Sequence, residues 1–156
     1  VIQPSQYYFD SDVILEYLDT LHERSPLIPE INKFDCKTAI HLANGVIEST
    51  LLRTMELRRP ECEQSKTFVA HLEARVMRGI ESMEKKRETT IGDCLNGEEI
   101  TTAVALSYVD FRFSTEWRKT SPTLEIWFEK VSRRKSMELT TPTRERPITI
   151  SDKIGE

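Results

Sequence analysis

Apolar residues recur at the spacing of an α-helix along most of this chain, beginning directly after Asp10. Residues three and four positions apart share one face of a helix, so this pattern predicts amphipathic helices. The first runs from Asp10, with an apolar face made of Val13, Ile14, Tyr17, Leu18 and Leu21. Further helices are expected over residues 35–58, 61–86, 96–111 and from Pro122 onward.

The segment 35–58 differs from the other predicted helices because it carries apolar residues on two sides. One stripe contains Ile40, Ala43, Ile47 and Leu51, and the stripe beside it contains Ala39, Leu42, Val46 and Met55. A helix with so wide an apolar surface is buried on more than one side. We therefore expect this helix to pack inside a helical bundle and also against another subunit.

The other long helices each have one stripe that we expect to face the core. In 61–86 it contains Val69, Leu72, Val76, Ile80 and Met83. In 96–111 it contains Ile100, Ala103, Val104, Ser107 and Tyr108. After Pro122 it contains Leu124, Trp127, Phe128 and Val131, and we expect Trp117 and Trp127 to anchor the core.

Two helix starts carry side chains that can satisfy the free backbone N–H groups of a first turn. Asp10 or Ser11 supplies such an oxygen to the first helix. Asn96 and Glu99 have the spacing of a capping box, in which each side chain accepts a hydrogen bond from the backbone N–H of the other. We expect this box to be structural and to nucleate the central helix of the chain.

The N-terminal segment has a different character from the rest. Residues 1–9, "VIQPSQYYF", contain two short β-prone pieces around Pro-Ser and predict a hairpin. A two-stranded hairpin is marginally stable alone in water, so it needs a partner sheet. The segment "ERSPLIPEIN" at 23–32 carries two prolines and is typical of a linker.

Composition narrows the class of protein further. The 156 residues are 38% hydrophobic and 31% charged, which is typical of a globular chain. A net charge of −4 argues against nucleic-acid binding, and no apolar run is long enough for a membrane span. Cys36, Cys62 and Cys94 lie far apart and the histidines are isolated, so neither a disulfide framework nor a metal site is expected. We therefore expect the protein to be located in the reducing cytoplasm.

Four segments of the chain carry a recognisable pattern when they are taken together. They are "FDSDVILEYLDTLHERSPLIPE", "RRPECEQS" with the helix "HLEARVMRGIESME", "LNGEEITTAVALSYVDFRF", and "WRKTSPTLEIWFEKVSRRKSMELTTP". Their order and spacing over residues 8–142 resemble those of the cytosolic glutathione transferase family, chiefly its bacterial members. The family usually caps its central helix with Ser or Thr and Asp, where this chain has Asn96 and Glu99.

The resemblance implies a mainly α fold, namely the family's C-terminal helical bundle preceded by a β-hairpin and helix left from a truncated thioredoxin-like domain. It divides the chain into a thioredoxin-like remnant, a linker, the all-helical domain and a tail, with bounds at 1–24, 25–34, 35–142 and 143–156. The family's catalytic Tyr, Ser or Cys lies near the end of the first strand of the thioredoxin-like domain. That residue has no counterpart in this sequence.

The resemblance also assigns binding residues. In the family, an acidic residue followed by Ser at this helix start binds the γ-glutamyl end of glutathione, which implies that role for Asp10 and Ser11. The alternative, that the two residues only cap a helix, stays open. Arg53, Met55 and Arg58 could line a pocket for a hydrophobic substrate, although an exposed helix face explains the arginines equally well.

Two functions from different classes remain in view. The resemblance implies that a longer parent conjugates glutathione, as a substrate, to a hydrophobic electrophile. It would do so as a cytoplasmic homodimer without a metal and without a nucleic-acid or membrane partner. The alternative is a non-catalytic glutathione-transferase-like interaction or stress-response module, in which the helical bundle serves as a docking surface.

Overall fold

The computed structural model describes residues 7–90 and 94–141, and within these ranges it contains helices and no strand. The helices are α1 (Ser11–Asp19), α2 (Lys33–Glu56), α3 (Lys66–Glu84), α4 (Gly97–Arg112), α5 (Trp117–Thr120), α6 (Pro122–Ser132) and α7 (Lys135–Thr140). Single 3-10 turns at Glu30–Asn32 and Glu61–Glu63 precede α2 and α3. The mainly α fold class predicted from the sequence is confirmed. No helix in the described ranges is long and apolar enough to cross a membrane.

Two sequence predictions fall at the ends of the chain. Most of the hairpin expected over residues 1–9, namely residues 1–6, lies outside the described residues, as does the tail expected over 143–156. Residues 7–9 carry no regular secondary structure. The ring of Tyr8 stacks on Tyr17 of α1, with the ring centroids 4.3 Å apart.

The core forms where α2 packs against α3 and α4, with α6 in contact with both α3 and α4. Both tryptophans are buried in it, as the sequence predicts, with Trp117 1% and Trp127 0% exposed. Trp117 meets Phe128 edge-to-face at a centroid distance of 6.0 Å. The other large members of the core are Val46, Val76, Ile80, Met83, Leu106, Val109, Leu124 and Val131.

A glycine allows α2 and α3 to approach each other closely. A Cβ on Gly79 of α3 would lie 2.4 Å from Cγ2 of Val46 on α2, a distance that real Cβ atoms do not show. Val46 is buried and, being β-branched, has little rotamer freedom in a helix. The absence of a side chain at Gly79 therefore sets the spacing of this helix pair.

The two predicted stripes of α2 are only partly buried. Ile40, Ala43 and Val46 are in the core, whereas Leu51 and Met55 are 44% and 55% exposed. Two polar residues, Ser49 and Thr50, are buried near the positions that those apolar residues were expected to fill. Their hydroxyls donate to the carbonyl oxygens of Gly45 and Val46 at 2.6 and 2.8 Å, which satisfies them inside the core.

For α4, the sequence prediction of which residues face the core is wrong for most of the residues named. Of the five residues expected in the core, only Ala103 is buried, and Val104 is 45% exposed. The helix instead buries the face that contains Thr101, Thr102, Leu106 and Val109. Threonine can lie there because its hydroxyl bonds to the preceding turn, as Thr101 Oγ1 does to the Gly97 carbonyl at 2.8 Å.

Helix α3 begins at Lys66, five residues later than the sequence predicts. Ser65 caps it by accepting a hydrogen bond from the N–H of Phe68 at 3.2 Å. The N–H of Ser65 itself donates to Glu56 Oε1 at 2.7 Å, which joins the end of α2 to the start of α3. This N–H, followed by the Arg59 side chain, lowers the pKa of the Glu56 carboxyl below its usual value.

Helix α6 takes its N-terminal cap from a distant part of the chain. The carboxylate of Glu84, the last residue of α3, accepts hydrogen bonds from the N–H groups of Thr123 and Leu124 at 3.0 and 2.7 Å. Ser121, which precedes the helix, makes no side-chain cap of its own. Because the two N–H groups belong to the first turn of α6, Glu84 fixes that turn to the end of α3.

Helix α1 lies outside the core and buries none of its own residues. Its apolar stripe is uncovered within the described ranges, with Val13, Ile14 and Leu18 exposed at 48%, 41% and 49%. The helix is held from its C-terminal end by Asp19, whose Oδ1 accepts from the N–H of Leu27 at 2.7 Å. This end of the fold offers an apolar surface to whatever packs there.

We expect Asn96→Ala to lower the free energy of unfolding by about 0.5–2 kcal/mol, the usual cost of a lost cap. Both bonds of the capping box are present: Glu99 N–H donates to Asn96 Oδ1 at 2.9 Å, and Asn96 N–H donates to Glu99 Oε2 at 3.0 Å. Urea denaturation measures the change. Asn32→Ala is the matched control, because Asn32 precedes α2 without capping it through its side chain. An unchanged midpoint for Asn96→Ala would contradict a structural role.

Candidate functional site

The start of α1 has an unusual backbone conformation at Asp10. Its φ of 73° lies in the left-handed region, and no other non-glycine residue in the described ranges has a positive φ. Such a conformation costs on the order of 1–3 kcal/mol, and residues that adopt it are enriched at binding and catalytic sites. Asp10 Oδ1 accepts from the N–H of Asp12 at 3.0 Å, so the aspartate is the side chain that caps the helix.

Ser11 is placed differently from Asp10. It is the first residue of α1, it is exposed, and its hydroxyl bonds to no other residue of 7–90 or 94–141. The sequence left open which of the two residues caps the helix, and the structure assigns that role to Asp10. The Ser11 hydroxyl is consequently available to a ligand at a helix N-terminus, where backbone N–H groups and the helix dipole favour an anion.

Asp12 connects the start of α1 to the middle of α2. Its Oδ1 accepts from Nδ2 of Asn44 at 2.9 Å, and its Oδ2 lies 3.2 Å from Nδ1 of His41. Asn44 and His41 are one turn apart on the same face of α2, so both reach the same carboxylate. These two contacts of Asp12 help to fix the position of its neighbour Ser11 relative to the bundle.

An open cleft of about 800 Å³ lies between α1 and α2, and we call it the α1–α2 cleft. Asp10 and Ser11 line one wall, and Asn44, Ile47 and Glu48 line the other. The cleft therefore combines a helix N-terminus, which attracts anions, with carboxylates that attract cations. This combination suits a zwitterionic group that carries a carboxylate and an ammonium a few bonds apart.

The sequence did not identify a second, smaller cavity between α2, α4 and α7, which we call the α4 cavity. It has a volume of about 170 Å³ and is lined mainly by apolar atoms. Three of its residues, Val104, Ser107 and Tyr108, belong to the stripe that was expected in the core. Ile47 lines both this cavity and the α1–α2 cleft, so the two spaces adjoin at one side chain.

The structure gives Arg53, Met55 and Arg58 other surroundings. The guanidinium of Arg53 lies over the ring of Phe113 at 4.2 Å and donates from Nε to Glu73 at 2.7 Å. Met55 and Arg58 are exposed near the end of α2. None of the three lines the α1–α2 cleft or the α4 cavity.

A third depression lies between α2 and α3, and we call it the α2–α3 depression. It has a volume of about 390 Å³ and is lined by Gly45 and Gly79 together with Arg75 and Arg78. Neither arginine forms an ion pair with another residue of the described ranges. The surface between α2 and α3 thus has a depression and carries positive charge from α3.

The remaining reactive residues do not form a site. Cys36 is buried, and burial raises the pKa of its thiol, which disfavours the nucleophilic thiolate. Cys62 and Cys94 are exposed and line neither the cleft nor the cavity. Across residues 7–90 and 94–141, no group of three metal-ligating side chains could hold an ion.

Comparison with known proteins places these features in a family. No protein-family model matches the chain. The chain is 24% identical over 149 residues to the uncharacterized GST-like protein YibF of Escherichia coli K12, covering 92% of this chain and 74% of that protein.

Solved structures give a closer likeness. A glutathione transferase family member from Pseudomonas fluorescens Pf-5, with bound S-(propanoic acid)-glutathione, is 31% identical with a TM-score of 0.83, over 88% of this chain and 73% of that one. A glutathione S-transferase from Methylobacillus flagellatus KT, with glutathione bound, is 28% identical with a TM-score of 0.79, over 87% of this chain and 70% of that one. The chain belongs to the glutathione transferase family, and its helices match the C-terminal helical domain of that family.

Proposed function

We propose that this chain provides the γ-glutamyl subsite and the electrophile pocket of a glutathione-conjugating protein. One observation carries the proposal: the Ser11 hydroxyl is free at the N-terminus of α1, beside a cleft of suitable charge. The glutathione bound in solved relatives supports it. The chain's contribution is to bind and orient the two reactants.

The γ-glutamyl group would bind through both of its charges. Its α-carboxylate accepts from the Ser11 hydroxyl and from the free N–H groups of the first turn of α1, where the helix dipole contributes roughly 0.3–1 kcal/mol. Its ammonium donates to the Asp10 carboxylate, of which Oδ2 is not used in capping. Glu48, on the opposite wall of the cleft, adds to the attraction for the ammonium.

The α4 cavity would hold the electrophile. It adjoins the α1–α2 cleft at Ile47, so a molecule bound in it lies next to bound glutathione. Arg53 and Met55 lie farther along α2, and Arg58 lies just beyond its end. Arg53 has other contacts, and Met55 and Arg58 are exposed to solvent. We therefore place the pocket around Ile47 and Tyr108 rather than around those three residues.

A non-catalytic role for the same fold is the second candidate. The observation that favours it is that neither tyrosine nor cysteine lines the α1–α2 cleft in the described part of the chain. In the family a Tyr, Ser or Cys outside the matched positions promotes ionisation of the glutathione thiol. A module that binds glutathione, or that only docks through its bundle, needs no such group.

We also propose that two copies of the chain pair through the outer surface of α2 and α3. Leu51 and Met55 are exposed on α2, and the α2–α3 depression offers space around Gly45. The two arginines of the depression, Arg75 and Arg78, lie beside the acidic α1–α2 cleft. A two-fold axis can therefore bring the positive surface of one copy to the negative surface of the other.

The exposed apolar stripe of α1 also fits a glutathione-transferase arrangement. In the family the helix that carries the acidic residue and serine belongs to a thioredoxin-like domain. We propose that Val13, Ile14 and Leu18 pack against such a domain, which would cover the surface left exposed here. The affinity of residues 1–156 alone for glutathione is then expected to be weak, because in the family such a domain supplies the subsite for the cysteinyl part.

Glutathione is expected to shift the backbone amide signals of Ser11 and Val13 in a titration of the isotope-labelled chain. Ser11→Ala should weaken this binding about tenfold or more, because hydrogen bonds to charged groups contribute roughly 1.5–3 kcal/mol. It should leave the unfolding midpoint unchanged, because Asp10 rather than Ser11 caps α1.

Two control variants separate binding from capping. Ser25→Ala removes an exposed serine from the loop after α1 and should not affect binding. Asp10→Ala removes the cap and should lower the free energy of unfolding by about 0.5–2 kcal/mol. If Ser11→Ala bound glutathione as tightly as the wild type, Ser11 would not be a binding residue, and the proposal would be contradicted.

Sedimentation or light scattering is expected to give a dimer, with twice the chain mass of 18.1 kDa, at micromolar concentration. Gly45→Arg should produce monomers, because it fills the α2–α3 depression with bulk and charge. A Cβ at Gly45 meets no atom within 4 Å, so the bundle itself tolerates the change. Ile126→Arg, at a residue 48% exposed on α6, is the matched control and should remain dimeric. A wild-type monomer would refute the pairing.

A further inference from the structure

We propose that a cavity at the junction of α2, α3 and α4, which we call the Lys86 cavity, binds a small organic monocarboxylate. The carboxylate lies at Lys86, and a short apolar chain packs against Leu42 and Met83. The Lys86 cavity shares no residue with the α1–α2 cleft or the α4 cavity. The inference therefore does not depend on the proposed glutathione subsite, and it adds a ligand site on another side of α2.

The volume of the Lys86 cavity sets the size of its ligand. The cavity is about 160 Å³ and lies where three helices come together. A ligand of roughly six non-hydrogen atoms fits such a space, since a cavity of about 150 Å³ in another protein holds benzene. The lining residues are Thr38, Ala39 and Leu42 of α2, Ser82 and Met83 of α3, Lys86 and Arg87 just beyond α3, and Glu98 and Thr102 of α4.

The charged groups of the lining leave one positive charge without a partner. Arg87 donates from Nη2 to Oε1 of Glu98 at 3.1 Å, so these two opposite charges balance each other. Lys86 forms no ion pair with another residue of 7–90 or 94–141, whereas its neighbour Lys85 pairs with Glu81 at 2.8 Å. A ligand with a single negative charge therefore complements the lining.

Two hydroxyl groups of the lining can donate to the same ligand. Thr102 is 1% exposed, yet its hydroxyl bonds to no other residue in the described ranges. The hydroxyl of Ser82 is likewise without a partner there, and Ser82 lies one helical turn before Lys86, so the two side chains are neighbours. Thr38 differs, because its hydroxyl donates to the carbonyl of Phe34 at 2.7 Å. A carboxylate accepts hydrogen bonds without donating any, so it satisfies the two free hydroxyls.

The remaining part of the lining is apolar and distinguishes an organic carboxylate from an inorganic anion. Ala39, Leu42 and Met83 present only carbon and sulfur atoms from their side chains, and Met83 is 5% exposed. Phosphate carries oxygens on every side, and those that face these residues would lose hydration without gaining a hydrogen bond. A carboxylate on a short alkyl chain has one polar and one apolar end, as the cavity does. Butanoate, with six non-hydrogen atoms, is a probe of this class and of suitable size.

Titration of the whole chain with matched probes tests the inference, with the ¹³C-methyl signals of Leu42 and Met83 reporting entry into the cavity. Butanoate is expected to shift both signals to saturation. It should bind about tenfold more tightly than butanamide, which has the same shape, because hydrogen bonds to a charged group are the stronger ones. Butylammonium should shift neither signal, because Lys86 repels it. Inorganic phosphate at the same ionic strength should bind more weakly than butanoate.

Two pairs of variants identify the source of the preference. Lys86→Gln should make butanoate and butanamide bind equally, whereas Lys85→Gln, at the neighbouring lysine outside the cavity, should keep the preference. Thr102→Val should weaken butanoate binding about three- to tenfold, the loss of one hydrogen bond. It should not lower the thermal midpoint of the ligand-free chain, because the hydroxyl that it removes has no partner in the described ranges. Thr101→Val is its control and should keep butanoate binding, because Thr101 lies outside the cavity and donates to the Gly97 carbonyl.

Any of four results would overturn the inference. They are no shift at Leu42 and Met83 with butanoate, equal binding of butanoate and butanamide by the wild type, tighter binding of phosphate than of butanoate, or equal losses in Lys86→Gln and Lys85→Gln. None of these results involves glutathione or Ser11. A failure of glutathione to bind at Ser11 would count against the proposed function and leave the Lys86 cavity unaffected.

Discussion

The fold depends on α2 being close to α3 and α4 at the same time. Gly79 has no side chain, so the α3 backbone can lie against Val46. On the α4 side, the small residues Ala43 and Ala103 are both fully buried. The remaining side of α2 carries Asn44, Ile47 and Glu48, which line the α1–α2 cleft. One helix thus supports the core and both candidate binding spaces.

The constraint on α2 also positions α1. Helix α1 buries none of its residues completely, and only Leu15 and Tyr17 among its apolar residues are half-buried. Polar contacts to α2 also hold the helix: Asp12 contacts the side chains of Asn44 and His41, and Glu16 pairs with Lys37 at 2.6 Å. The geometry of the proposed glutathione subsite therefore depends on a carboxylate next to Ser11 as well as on the helix cap.

The sequence predicted the fold class and the order of the long helices because apolar spacing and capping residues are local signals. Asn96 and Glu99 are three residues apart, and their pattern needs no tertiary information. The inward face of α4 could not be predicted in the same way. Hydropathy favoured the side with Ile100 and Val104, whereas packing selected the side with Thr101 and Leu106, where small side chains permit close contact with α2.

The candidate site, like the fold, could be predicted only in part from the sequence. A resemblance over a short motif pointed to Asp10 and Ser11, but only the hydrogen bonds of the structure show that Asp10 caps the helix and that the Ser11 hydroxyl bonds to no other described residue. The α4 cavity had no sequence signal of its own, because its residues come from three helices. The one hint was that Ser107 and Tyr108, which are polar, lie in the stripe of α4 that was expected to face the core.

The capping of α6 by Glu84 has a consequence for how the chain folds. The cap and the capped N–H groups are separated by 39 and 40 residues, so α6 has no side-chain cap from its own neighbourhood and gains one only after the loop through α4 has closed. Helix α6 should therefore be frayed in any partly folded state in which α3 and α4 have not yet met. Detachment of α6 from α3 removes its cap and its packing on α3 in a single step, so the first turn of α6 is expected to unfold together with that helix contact.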